Sequence, residues 1–370
     1  MSVVQFRPRP PIQCSLSRID PRAPDAPVTK PKVVAALGGV AVAAIGGAVC
    51  AWIGTPLPWM IGAIFAMGAV QLAGAGLDAP RGGREAGFVV VGANLGLYFT
   101  APVVHQVASL WPWFVALGFA ALAYGTLSAW ILARLTGTDR ATAFFSCMPG
   151  GAAEMANLGE KYGAAADRVA LAHSLRMLMV VTIFPVAITL AGFHATEDYR
   201  PVMTPFDAKG LVELLAICAV AGAAAKVAQV PTGFMMGSLV TSTLLSVSGF
   251  QFSSIPSWLT NAAQVLMGCA LGARFDRSFV THAPRFALAL VPTLGVMLAI
   301  AALVGWGLAV GSGTYLGGGL LAAAPGGIAE MCITAKVLRI SVAFVTAAHV
   351  IRYVIVVLLT RPVYRLFIHK

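Results

Sequence analysis

Residues 149–155 read PGGAAEM, and residues 325–331 read PGGIAEM. The shift of 176 residues that carries Pro149 onto Pro325 also carries Gly92 and Gly96 onto Gly268 and Gly272, and Phe99 onto Phe275. It carries the pair His173 and Arg176 onto His349 and Arg352. Near the start of each half, Pro56 and Gly62 match Pro231 and Gly237 at a shift of 175, as one inserted residue would give. One shift serving several separate regions indicates an internal duplication, with one PGG element in each copy.

Composition places both copies in a membrane. Of 370 residues, 58% are hydrophobic and 11% are charged, against about 25% charged in soluble domains. The apolar residues fall in long blocks, as lipid-facing helices require. The net charge of +11 comes from Lys and Arg scattered through short loops and both ends of the chain. They form no recognition motif, so a positive-inside bias explains them better than nucleic-acid binding. The six cysteines include no CxxC pair. They read as small buried side chains, not as a zinc site or disulfide framework.

Twelve apolar segments follow a Pro- and Arg-rich stretch, residues 1–31, which reads as a disordered tail with no cleavable signal. Repeat 1 (residues 32–200) holds segments 33–53, 57–75, 86–108, 111–135, 140–160 and 168–192. Repeat 2 (residues 201–370) holds segments 211–229, 232–249, 258–280, 285–311, 313–337 and 342–362. Loop charges choose the topology. If all twelve segments span with the N-terminus inside, Arg274, Arg277 and Arg285 fall outside. If the PGG segment of each half dips in and returns, these three join Arg81, Arg84, Arg134, Arg140, Lys161, Arg168, Lys226, Arg361, Arg365 and Lys370 inside. Only Lys336 and Arg339 then lie outside among the core loops. The expected fold is therefore an all-α integral membrane protein of two inverted repeats. Each has about five crossings plus one re-entrant or broken PGG segment.

The PGG elements are the first candidate site. Pro149, Gly150, Gly151 and their copies Pro325, Gly326, Gly327 break a helix. A broken helix in a membrane is tolerated inside protein or beside water, and its freed backbone groups can bind substrate or ions. The structural alternative is a packing kink. Glu154 and Glu330 follow three residues after the last Gly, in the first turn of the next helix. They read either as carboxylates answering the helix dipole or as carriers of a coupling proton or sodium. His173 with Arg176, and His349 with Arg352, are spaced i, i+3 and share a helical face. Snorkelling suits Arg176, whereas Arg352 sits near the middle of its segment and invites a functional reading. The two His join the ion-coupling candidates, and the two Arg the substrate-binding ones. Asn94 either lines the cavity or bonds helix to helix. Arg274, Asp276 and Arg277 read mainly as an interfacial anchor.

The paired PGGxAEM elements, IGTPLPWMIGA at 53–63 and GCALGARFDR at 268–277 resemble the AbrB-type duplicated membrane protein family over roughly residues 33–366. The family shares a name, not a fold, with the soluble DNA-binding AbrB regulator. Its members carry labels including "ammonia monooxygenase" and "regulator of gene expression". The resemblance implies a bacterial polytopic membrane protein. A copper or di-iron oxygenase needs clustered ligands. His105, His173, His194, His282, His349 and His369 offer no HxH, HxxxH or ExxH spacing, so no metal, cofactor or catalytic residue is assigned.

The reading that joins these features is a proton- or sodium-coupled secondary transporter of a small organic anion in the bacterial inner membrane, with both termini cytoplasmic. Its partners are a small-molecule substrate and the bilayer, not nucleic acid, and assembly into a homo-oligomer stays open. A membrane sensor regulating gene expression and a membrane monooxygenase are the alternatives.

Overall fold

The structure, a computed structural model, describes residues 32–193, 204–250, 252–275 and 284–367. The expected tail and the anchor residues Asp276 and Arg277 lie outside the described residues. Everything described is helix and connection. The helices are α1 (Lys32–Ile53), α2 (Pro58–Leu72), α3 (Gly83–Gly96), α4 (Ala101–Ala108), α5 (Trp111–Thr136), α6 (Arg140–Cys147), α7 (Ala152–Glu160) and α8 (Ala166–Leu190). The second half gives α9 (Ala208–Val227), α10 (Gly233–Val247), α11 (Ser257–Gly272), α12 (Pro284–Ser312), α13 (Leu316–Ala323), α14 (Ile328–Val337) and α15 (Val342–Phe367). The starts of α6, α7 and α8 recur at the 176-residue shift as the starts of α13, α14 and α15.

Six helices, α1, α5, α8, α9, α12 and α15, are long and apolar enough to cross a membrane, and the bent pair α3–α4 would make a seventh. The chain is a multi-pass membrane protein. Large apolar side chains such as Trp52, Phe119, Leu303 and Leu358 point outward, which lipid favours and water would not. Helices α2 and α10 are apolar but have 15 residues each, roughly 22 Å.

The predicted continuous segment 86–108 is two helices, bent by 89° between Gly96 and Ala101. Pro102 has no N–H to offer the carbonyl of Tyr98, so the helix cannot run on.

Two packed groups emerge. Helices α1, α2 and α3 pack with α9, α10 and α11, while α5 to α8 pack with α12 to α15. The groups touch mainly where α3 meets α14 and α15, where α4 meets α15, and where α2 meets α8. The first group relies on close backbone approach, and the duplication repeats it. A side-chain carbon on Gly46 would run into the Gly62 carbonyl, and one on Gly237 would lie 2.7 Å from the Gly222 Cα. Gly92 packs on the Met235 carbonyl as Gly268 packs on the Met60 carbonyl. Helix α3 is thus seated on α10 much as α11 is seated on α2.

Each PGG segment is a helical hairpin. Asp139 caps α6 by accepting from the Thr142 N–H at 2.7 Å. Beyond the break α7 returns, so that the Ala165 N–H reaches the Thr142 hydroxyl at 2.8 Å and the rings of Phe145 and Tyr162 stack at 5.9 Å. In the second hairpin Gly317 and Gly318 lie against Ile340. The two hairpin mouths lie at opposite ends of α15. That helix starts beside Ile340, and at its far end Arg361 and Arg365 donate to the Tyr162 hydroxyl at 3.2 and 3.1 Å. The end of α8 likewise meets the second mouth, where Phe193 and Tyr315 pack edge to face at 6.2 Å.

Candidate functional site

The His–Arg pairs hold the hairpin tips. Arg176 donates to the carbonyls of Met148 at 2.7 Å and Gly150 at 3.1 Å, and its other contact is His173 Nδ1 at 3.1 Å. Arg352 repeats this on Ala324 at 2.6 Å, Gly326 at 3.3 Å and His349 Nδ1 at 2.9 Å. These carbonyls lie at and just past the C-terminal ends of α6 and α13, where a cation answers the helix dipole. Exposure is 2% for Arg176 and 3% for Arg352, so this is a buried clasp and not a snorkelling contact. Each guanidinium keeps a buried Nε with no hydrogen-bond partner.

Histidine tautomers follow from the chemistry. A guanidinium only donates, so Nδ1 of His173 and His349 must accept. Nε2 then carries the hydrogen and donates to Phe145 O and Leu321 O, both at 2.9 Å. Both ring nitrogens are in use, which orients the Arg and leaves no lone pair for a metal. Among the described residues no three His, Cys, Asp or Glu side chains form a metal-holding group.

Glu154 and Glu330 fold back over the last Gly of their PGG. Gly151 and Gly327 are the N-caps of α7 and α14, and a side-chain carbon on either would collide with the carboxylate three residues on. The second glycine therefore makes room for the acid, which takes the position of the acidic residue in a capping box. The copies then diverge. Glu154 accepts a short hydrogen bond from the Tyr353 hydroxyl of the other half. The residue matching Tyr353 in the first half is Met177, whose methyl group comes against Gly327 beside Glu330. Glu330 is 8% exposed and lines the cavity.

That cavity, about 90 Å³, lies between the two helix groups and is lined by both hairpin tips. It collects Pro149, Gly150, Gly151, Gly326, Gly327, Glu330, His173, Arg176 and Arg352. Asn94 is not brought there. It donates to the Thr260 hydroxyl at 3.0 Å, tying α3 to α11. Sequence reasoning missed Arg84 and Arg274, which line the cavity. Arg274, read from the sequence as part of an interfacial anchor, is exposed where the chain turns after α11 and lines the cavity mouth. Met177 and Tyr353 also escaped notice, because a Met and a Tyr inside apolar helices carry no local signal.

The sequence that builds these paired broken helices is matched among known proteins. The family model described as "Transition state regulatory protein AbrB" matches residues 59–368, and the chain belongs to that family. It is 29% identical over 302 residues to "Uncharacterized protein YhjN" of Bacillus subtilis (strain 168), covering 76% of this chain and 78% of that one. It is 25% identical over 313 residues to "Putative regulator AbrB" of Escherichia coli (strain K12), covering 84% and 88%.

Proposed function

We propose that the protein is a secondary transporter of a small organic anion, coupled to a proton or sodium, in the bacterial inner membrane. One observation carries this: a cavity at the boundary of two helix groups, lined by both hairpin tips and by four arginines, Arg84, Arg176, Arg274 and Arg352. Binding sites at the meeting of broken-helix repeats are characteristic of transporters. The opposite mouths of the hairpins, and the exchanged packing of α3 on α10 and α11 on α2, support inverted repeats. On that reading α1, α2, α3, α5 and α8 cross the membrane, as do their five counterparts. The loop charges then support cytoplasmic termini.

In this function the tips form the substrate cradle, with Arg176 and Arg352 fixing their shape and supplying positive field. Of the two coupling candidates, Glu330 lines the cavity and is favoured, whereas Glu154 is held by Tyr353. His173 and His349, with both nitrogens engaged, serve by orienting the arginines. The purified chain in proteoliposomes should acidify or alkalinise the lumen when a gradient of its organic anion is imposed, read by an entrapped pH dye, or else show sodium-dependent uptake. Flux of no anion in a broad panel would sink the proposal.

A sensor is the second reading, favoured by the regulatory wording in the family's description and in the name of the E. coli relative. A sensor would change transcription when its gene is deleted while moving no solute in vesicles.

A further inference from the structure

Arg84 begins α3 and Arg274 follows α11, both on the helix group that faces the hairpins across the cavity. Neither position is duplicated: their counterparts at the 176-residue shift are Thr260 and Tyr98. Both arginines are exposed, and neither forms an ion pair among the described residues. Arg84 stacks its guanidinium over Phe88 at 4.8 Å, which orients it. The two charges act on each other, and both act on Glu330. Two like charges lining the same cavity as a buried carboxylate form a site suited to an anion.

The other groups around Glu330 already hold partners, Arg176 and Arg352 through every guanidinium nitrogen but Nε. Arg352 on α15 and Arg176 on α8 hold the tip carbonyls, with His349 and His173 behind them. Tyr353 is bound to Glu154 of α7. On its own helix, Cys332 is buried, and Lys336 sits over the Tyr98 ring at 5.9 Å. Arg84 and Arg274 are left as the cations free to choose between Glu330 and an incoming anion.

We propose that Arg84 and Arg274 form a carboxylate clamp and that Glu330 is the internal anion competing for it, so that substrate binds when Glu330 takes a proton. The apolar walls, Phe88, Met235, Met267 and Leu271, and the volume of about 90 Å³ fit a short monocarboxylate. The proton comes from the solution to which the cavity opens, and the substrate enters as its anion. One carboxylate and one proton then move together without net charge. This rests on the transporter reading above.

The test uses the full chain in detergent, with butyrate as probe and butylamine as control, by calorimetric titration at pH 5.5 and 7.5. Butyrate should bind at least tenfold more tightly at pH 5.5, and butylamine should not bind. Glu330→Gln should bind butyrate equally at both pH values. The pair R84A with R274A should lose at least tenfold in affinity with an unchanged melting profile, and R84K with R274K should recover part of it. Three outcomes would overturn the clamp: no butyrate binding by the parent, unchanged binding by the alanine pair, or pH dependence persisting in Glu330→Gln. Uptake into proteoliposomes separates the two claims. Binding as expected without uptake would overturn transport and leave the clamp standing. Butyrate uptake indifferent to Arg84 and Arg274 would overturn the clamp and leave transport standing.

Discussion

The Tyr353 hydroxyl donates to Glu154, whereas Glu330, the duplicate of Glu154, has Met177 in the position of that tyrosine. The two acids share a place in the repeat and differ in partner. Glu154 is locked and Glu330 is open to the cavity. We therefore expect Glu330→Gln to fold normally and lose ion coupling, and Glu154→Gln to retain coupling. Pyranine-loaded proteoliposomes would measure both, and coupling lost in the second variant but kept in the first would reverse the assignment.

Tyr353→Phe removes one hydrogen bond to a carboxylate and little volume. Such bonds contribute about 1.5–3 kcal/mol, so its melting temperature should fall measurably. Installing the same lock in the first half, Met177→Tyr, should slow coupling without lowering stability as much. Stopped-flow transport and thermal melts would show whether those effects separate.

Arg352→Ala strips the donors from the carbonyls of Ala324 and Gly326. Buried groups left unpaired cost about 1–3 kcal/mol each, so a loss on the order of 3 kcal/mol is expected. Arg176→Ala should cost less, because the Met148 carbonyl keeps the Gly150 N–H at 2.8 Å. Substrate affinity lost in either variant must be compared at equal folded fraction. A melt unchanged by both substitutions would contradict the clasp.

Gly327→Ala places a carbon where the Glu330 carboxylate lies. Overpacking of this kind costs about 1–3 kcal/mol, and the acid is pushed from the helix cap. Adding Glu330→Ala should recover most of that stability. A double-mutant cycle with additive effects would show that the glycine serves something else.

Asn94→Leu and Thr260→Val should each weaken the joint between α3 and α11, with a coupling near 0.6 kcal/mol, the average for interhelical bonds in a membrane. Substrate affinity should hold, since Asn94 lies off the cavity. Affinity that fell with Asn94 while stability held would return it to the binding site.

The duplication, the helix breaks and the shared face of His173 and Arg176 were legible because each is a local pattern: a repeat, a residue class, a 3.6-residue period. The bend after Gly96 was available in Pro102 but was passed over inside a long apolar run. Arg84 and Arg274 were hidden by a sufficient explanation, since a positive-inside bias already accounts for charges at helix ends. Which way such a charge points is decided by the turn after α11 and by the packing of α3, not by neighbours in the chain. The difference between Glu154 and Glu330 was out of reach for a related reason. It is set by residues 353 and 177, each in the opposite half of the molecule.

The exchange of partners across the halves also bears on ancestry. A symmetric pair made from two copies of the first half would set each Glu154 against a Met177, leaving two open acids. Two copies of the second half would set each Glu330 against a Tyr353, leaving none. One locked acid and one open acid per molecule is an arrangement that neither homodimer can reach. It requires two halves free to diverge from one another, which the fused duplication supplies within one polypeptide.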